Sequence, residues 1–170
     1  MLTGIKVAFL GGDARQLEVI KRCVEQDAAV ILFGFDNLET RFPGTLLKKW
    51  VPANIADIDV LVLPIVSCDD DGFVESIFTS QPLQINSSYL EQMPKHAVIY
   101  TGMARDYLKD ICRPLSLSLV ELLNRDDVAI YNSIPTAEGA LMLAIQNTSI
   151  TIHGSHIAVD FVVERLPEFP

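Results

Sequence analysis

The stretch Asp59-Val60-Leu61-Val62-Leu63-Pro64-Ile65 is almost entirely apolar and dominated by branched side chains. A strand with one wet face alternates in polarity. A run that is apolar on both sides of its pleat needs cover on both faces, which is the situation of a strand inside a parallel sheet. Parallel neighbours in turn need long crossovers, usually helices, and the rest of the chain reads that way.

Ile5 to Leu10 is a short apolar run ending at Gly11-Gly12, and Ala14 to Gln26 carries Leu17, Ile20, Cys23 and Val24 at helical spacing. Ala29 to Phe33 is a second strand, followed by a loop with Pro43 and Gly44. After the third strand come a polar loop (Ser67 to Gly72), a short helix or strand (Phe73 to Phe78) and a helical turn (Tyr89 to Gln92). Ala97 to Tyr100 reads as a fourth strand, and Arg105 to Asn124 as a helix kinked or divided at Pro114. Val128 to Tyr131 is the expected fifth strand, and Ala137 to Asn147 a strong helix announced by Pro135 and Thr136. The pattern predicts an α/β fold: a flavodoxin-like, doubly wound, mostly parallel five-stranded sheet with helices on both faces. In that class ligands gather beyond the carboxyl ends of the strands, near the reversal of strand order.

Composition narrows the function. With 170 residues, 49% hydrophobic and 21% charged, the chain can bury a sizeable core in one domain plus a short extra element. No apolar run is read as a membrane span, and MLTGIKVAFLGGDARQ has no secretory pattern, so the expectation is a cytoplasmic protein without a membrane partner. Three scattered cysteines fit a reducing compartment. A net charge of −9 and a lone dense basic spot, Lys48-Lys49-Trp50, argue against nucleic acid. Asp69-Asp70-Asp71-Gly72 lacks the alternating spacing of a calcium loop, and no metal set is expected around His153 and His156.

Three stretches fall at strand-to-helix turns on the expected ligand edge. In the first, Gly11 and Gly12 allow close backbone approach, Asp13 is a natural N-cap, and Arg15 can fork onto a carboxylate. From spacing alone, a tight turn with a capped helix is the somewhat better account of these residues. In the second, Thr101, Gly102 and Arg105 repeat the same residue types after the fourth strand. In the third, Asn132, Ser133 and Thr136 offer neutral hydrogen-bonding groups, and Glu138 a proton acceptor; helix capping is the simpler account.

GIKVAFLGGDARQLEVI, RDDVAIYNSIPTAEGALMLAIQ and TIHGSHIAV, taken together, resemble the dipicolinate synthase A-subunit family of spore-forming bacteria over residues 1 to about 159. The resemblance implies one component of an NAD(P)-dependent oxidoreductase that makes dipicolinic acid from a dihydrodipicolinate-pathway intermediate in the mother cell during sporulation. It implies a flavodoxin-like substrate-side domain, a following Rossmann domain for the nicotinamide, and, as partner, the flavoprotein-like second component of dipicolinate synthase, its B subunit; self-association is a further option. On that basis residues 1–150 are expected to form the substrate-side domain and residues 151–170 the start of a Rossmann domain. DFVVERLPEFP, where the glycine-rich loop should follow, has no glycine. The expectation is a truncated chain that binds no cofactor and is inactive alone. The other reading is a stand-alone, non-catalytic regulatory or interaction domain.

Overall fold

The structure, a computed structural model, describes residues 1–39 and 42–156. Its sheet is organised around β1 (Lys6–Leu10), which pairs in parallel with β2 (Ala29–Phe33) on one side and β4 (Val60–Val62) on the other. Beyond β2 lies β3 (Thr45–Leu47); beyond β4 lie β7 (Val98–Thr101) and β8 (Ser118–Glu121). The order β3-β2-β1-β4-β7-β8 is parallel throughout. Its five strands from β2 to β8 run in the expected flavodoxin-like order, and β3 adds a sixth at the edge.

Alternate residues of each strand supply two cores. Ala8, Leu10, Ile31, Phe33, Leu61 and Ile99 meet α2 (Ser87–Leu90) and α3 (Asp106–Cys112) through Leu90, Leu108 and Cys112. Val7, Phe9, Val30 and Leu32 meet α1 (Ala14–Glu25) through Ile20 and Leu17. Helices therefore cover both faces, and β1, apolar on both sides, is buried from Val7 to Leu10. Asp59, expected only as a solubilising charge, accepts the Lys6 N–H at 2.8 Å and contacts His96 at 2.8 Å, tying the start of β1 to β4.

Two corrections concern the second half. The expected helix over Arg105 to Asn124 stops at Cys112; Pro114 cannot continue it, Ser116 turns the chain with φ of 54°, and Ser118–Glu121 pairs with β7 as the fifth strand of the flavodoxin-like order. Val128 to Tyr131, expected to be that strand, lies instead within α4 (Asp126–Asn147), whose first turn carries Asp126 and Asp127 where the helix dipole favours acids. A four-residue apolar run fits either state, and the pairing of β8 with β7 leaves no need for another strand there.

Residues Met1–Arg125 form one compact unit, and a second begins at Asp126, earlier than the boundary expected at residue 150. None of the residues of α4 is buried. Running unbroken through Pro135, α4 is long and apolar enough by length and composition to cross a bilayer. Asn132, Ser133, Thr136 and Glu138 along it would be costly in hydrocarbon. The strand expected at His156 to Val159 lies, past His156, outside the described residues.

A small antiparallel hairpin, β5 (Phe73–Val74) with β6 (Leu83–Gln84), shapes the carboxyl edge of the sheet. Its connecting segment runs against the turns after β1 and β2: Gly12 bridges to Ser76, and Ser76 Oγ donates to the Gly34 carbonyl at 2.9 Å. Gly11 has φ of 63°, and a Cβ there would stand 2.7 Å from the Glu75 carbonyl oxygen. Gly4 has φ of 83° with open space around it. Gly11→Ala is therefore expected to cost about 2–4 kcal/mol, adding a clash to backbone strain, and Gly4→Ala only about 1 kcal/mol. Guanidinium unfolding curves on the two variants check this; equal losses would remove the hairpin contact as the reason for Gly11.

Candidate functional site

Because the large sheet is parallel, every strand-to-helix turn of the first unit lies on one edge. The turn after β1 carries Gly11, Gly12, Asp13 and Arg15; the turn after β7 carries Thr101, Gly102 and Arg105. β4 stands between the two strands, so the turns are about 10 Å apart at the usual strand spacing. Both stretches are thus on the expected edge, next to the reversal of strand order at β1 and β4.

At the first turn the backbone donors already have partners. The Gly11 N–H donates to the Phe33 carbonyl at 2.9 Å and the Gly12 N–H to the Glu75 carbonyl at 2.8 Å. Gln16 fills the place a Gly12 side chain would take, buried at 8% exposure, with its Nε2 unpartnered. Asp13 caps α1 by accepting the Arg15 N–H at 2.9 Å, and its carboxylate grips the Arg15 guanidinium at 2.5 Å. That hydrogen bond holds the Asp13 carboxyl below the usual carboxylate range and raises the guanidinium in turn. Arg15 enters any encounter with an anion as half of an ion pair.

At the second turn, Thr101 is buried and its Oγ1 donates to the Pro64 carbonyl at 2.7 Å. Gly102 is packed so closely that a Cβ would stand 2.8 Å from the Ile65 carbonyl oxygen. Two residues that sequence reasoning passed over complete the turn. Glu121, at the end of β8, accepts the Ala104 N–H at 2.8 Å and pairs with Lys109 at 3.2 Å. Ser67 Oγ accepts the Arg105 N–H at 3.2 Å. Nothing local marks either, because both act across strands distant in sequence. Arg105 is half-exposed and has a looser partner, Asp70 at 3.6 Å. It is the cation of this turn free to swing toward a ligand.

Asn132, Ser133, Thr136 and Glu138 belong to the second unit and lie along α4, not at a strand-to-helix turn. Ser133 Oγ donates to the Ile130 carbonyl and Thr136 Oγ1 to the Asn132 carbonyl, each at 2.7 Å, so these hydroxyls serve their own helix beside Pro135. Cys68 and Cys112 are buried thiols of the core. Burial raises both, Cys112 to about 11, which leaves neither poised as a nucleophile. Among the described residues no group of acids, histidines and cysteines could hold a metal ion.

The sequence profile of the N-terminal domain of the dipicolinate synthase A-subunit matches residues 6–123. The chain is 44% identical over 159 residues to the dipicolinate synthase A-subunit of Bacillus subtilis (strain 168), covering 94% of this chain and 54% of that protein. Among solved structures, the dipicolinate synthase A-subunit of Bacillus halodurans superposes with a TM-score of 0.86 at 42% identity, over 91% of this chain and 53% of that one. The A chain of dipicolinate synthase from Bacillus subtilis gives a TM-score of 0.83 at 44% identity, over 91% and 52%. The chain thus spans about half the length of the relatives it matches.

The two ion pairs at the edge should differ in weight. Glu121→Ala removes a carboxylate from the Ala104 N–H and from Lys109 and is expected to cost about 1–3 kcal/mol. Arg15→Ala breaks a pair whose guanidinium is 68% exposed and should cost under about 1 kcal/mol. Thermal melts of both variants at one pH and salt concentration decide; the reverse ranking would mean that Glu121 does not hold the turn after β7.

Proposed function

The chain belongs to the dipicolinate synthase A-subunit family, and from that membership we propose that it forms the substrate-side part of an oxidoreductase that makes dipicolinic acid from a dihydrodipicolinate-pathway intermediate. The observation that carries this reading is the family match coinciding with an intact carboxyl edge, on which the turns after β1 and β7 flank β4. A dicarboxylate substrate is a dianion. Arg105, half-exposed and loosely paired at 3.6 Å, is its proposed main contact; a guanidinium can take a carboxylate with two parallel hydrogen bonds. Arg15 contributes only by exchanging Asp13 for the substrate. Gly11, Gly12, Thr101 and Gly102 set the shape of the turns, and their packing supports that role. For Glu138 proton handling is the proposed role, and for Asn132, Ser133 and Thr136 neutral contacts.

In this proposal a nicotinamide cofactor, NAD(P), would supply the oxidising chemistry. The described residues do not fit a dinucleotide: the Gly11 and Gly12 amides, which would have to face a pyrophosphate, donate to protein carbonyls, and Leu83 packs over Gly34. The nicotinamide is therefore assigned to the half of the relatives that this chain does not cover, and the chain alone is proposed to be inactive. Cooperation with the flavoprotein-like B component, self-association, and work in the mother-cell cytoplasm during sporulation belong to the same proposal.

A chimera tests it. Residues 1–156 of this chain replace the corresponding part of the dipicolinate synthase A-subunit in a sporulating Bacillus subtilis strain that lacks its own copy, and dipicolinate is measured in the spores. The chimera is expected to restore dipicolinate, and Arg105→Glu to lower kcat/KM of the purified chimera by at least about tenfold, the loss of one charge-assisted contact. A stable chimera that forms no dipicolinate, or one indifferent to Arg105→Glu, refutes the reading.

A further inference from the structure

Six basic side chains of the first unit, Lys6, Arg15, Arg22, Arg105, Lys109 and Arg113, lie within salt-bridge distance of a carboxylate. Among the described residues Lys21, Lys48, Lys49 and Lys95 have no carboxylate at that distance; Lys48 feels Asp57 only through its field. Of these four, only Lys48 and Lys49 are neighbours in sequence, and both line one cavity.

Both lysines leave the carboxyl end of β3 and line a cavity of about 680 Å³, within the range of small-molecule sites. Gly34 and Asp36 after β2 and the segment from Thr79 to Leu83 complete most of its wall. Asp36 is the one carboxylate of the lining, which leaves one net positive charge. The apolar part of the lining is incompletely covered: Leu47 is 54% exposed and Val51 39%. Trp50, also in the lining, is fixed before any ligand arrives. It stacks on Tyr89 at 5.0 Å, meets Phe33 edge-on at 5.2 Å, and donates its Nε1–H to the Gln84 carbonyl at 2.8 Å. A preformed, partly apolar cavity with paired cations calls for an occupant with a negative head and a flat apolar body.

We propose that this cavity binds a small planar ring carboxylate, with Lys48 and Lys49 on the carboxylate oxygens and Leu47, Trp50 and Val51 against the ring. The site lies at the ends of β2 and β3, separate from Arg105 at the end of β7, and its existence does not depend on the role given to Arg105 above.

Trp50 is the chain's single tryptophan, so its fluorescence reports on this cavity and no other. The whole chain is titrated with pyridine-2,6-dicarboxylate and, separately, with the neutral pyridine-2,6-dimethanol, following tryptophan emission. The dicarboxylate is expected to give a saturable change and the diol at least tenfold weaker binding. Lys48→Glu with Lys49→Glu should weaken the dicarboxylate at least tenfold while circular dichroism and melting stay native-like; if that pair fails to fold, Lys48→Met with Lys49→Met is the variant read. Lys21→Glu with Lys95→Glu, the same charge change elsewhere, should leave the affinity within about twofold. No saturable change, equal binding of the diol, or full affinity without the lysines overturns the proposal. The chimera's response to Arg105→Glu bears only on the earlier reading, so the two failures are separable.

Discussion

Positions 11, 12, 34 and 102 have no room for a Cβ. Glu75 stands 2.7 Å from such an atom on Gly11, Ile65 stands 2.8 Å from one on Gly102, and Gln16 and Leu83 occupy the other two places. At Gly11 and Gly102 the neighbour is backbone and at Gly12 and Gly34 a side chain, and the carboxyl edge takes its form from these contacts. In the middle, above β1 and β2, the edge is sealed. The Lys48-Lys49 cavity lies to one side and the half-exposed Arg105 to the other. Glycine here removes bulk so that one part of the chain can reach another. The same absence of bulk in a nucleotide-binding fold lets a phosphate reach the backbone.

That ambiguity decides how far a sequence can be read. A glycine pair after a first strand announces close approach and is silent about what approaches. An amide holds an anion only if its N–H is free, and the acceptors of Gly11 and Gly12 lie on Phe33 and Glu75, distant in sequence. The Asp13 cap was legible because it is local: a carboxylate one residue before a helix finds the amide two residues on. Its grip on Arg15 is local as well, and it makes the most conspicuous arginine of the motif a poor anion ligand. Arg105 is the better candidate because Ser67 and Glu121 hold the turn beneath it, and neither of those supports is visible along the chain.

The same division runs through the fold. β1, β2, β4, β7 and α1 were legible, since each has several consecutive residues whose polarity pattern admits one structure. β3 was not: three residues at a sheet edge, with Leu46 and Leu47 exposed, carry no pattern long enough to read. β8 was hidden in a stretch of leucines that also fits a helix, and only Pro114 hinted that the helix must stop. Its identity comes from β7, which offers a free edge and a register from Val98 with Ser118 to Thr101 with Glu121. The run at Val128 to Tyr131 is the converse: good strand residues with no free partner, in a helix whose first turn is acidic. Where a segment is short, the tertiary neighbour overrides local propensity.

Electrostatics sharpen the contrast between the two ends of this edge. A chain with 22 acidic and 13 basic residues repels a dianion at long range, and at physiological salt that repulsion fades within about 8 Å. Selectivity for an anion must then come from cations that meet it at contact distance without first giving up a partner. Arg15 would have to break a bidentate bond to Asp13, and Lys109 its pair with Glu121, each leaving a carboxylate behind to oppose the ligand. Arg105 gives up only a 3.6 Å contact with an Asp70 that is 86% exposed and readily hydrated. Lys48 and Lys49 give up no ion pair. Ranked by what must be broken, the lysine pair comes first and Arg105 second. An anion reaching this edge therefore meets usable cations at either end of it, and the sealed glycine turn between them is the frame that keeps those ends apart.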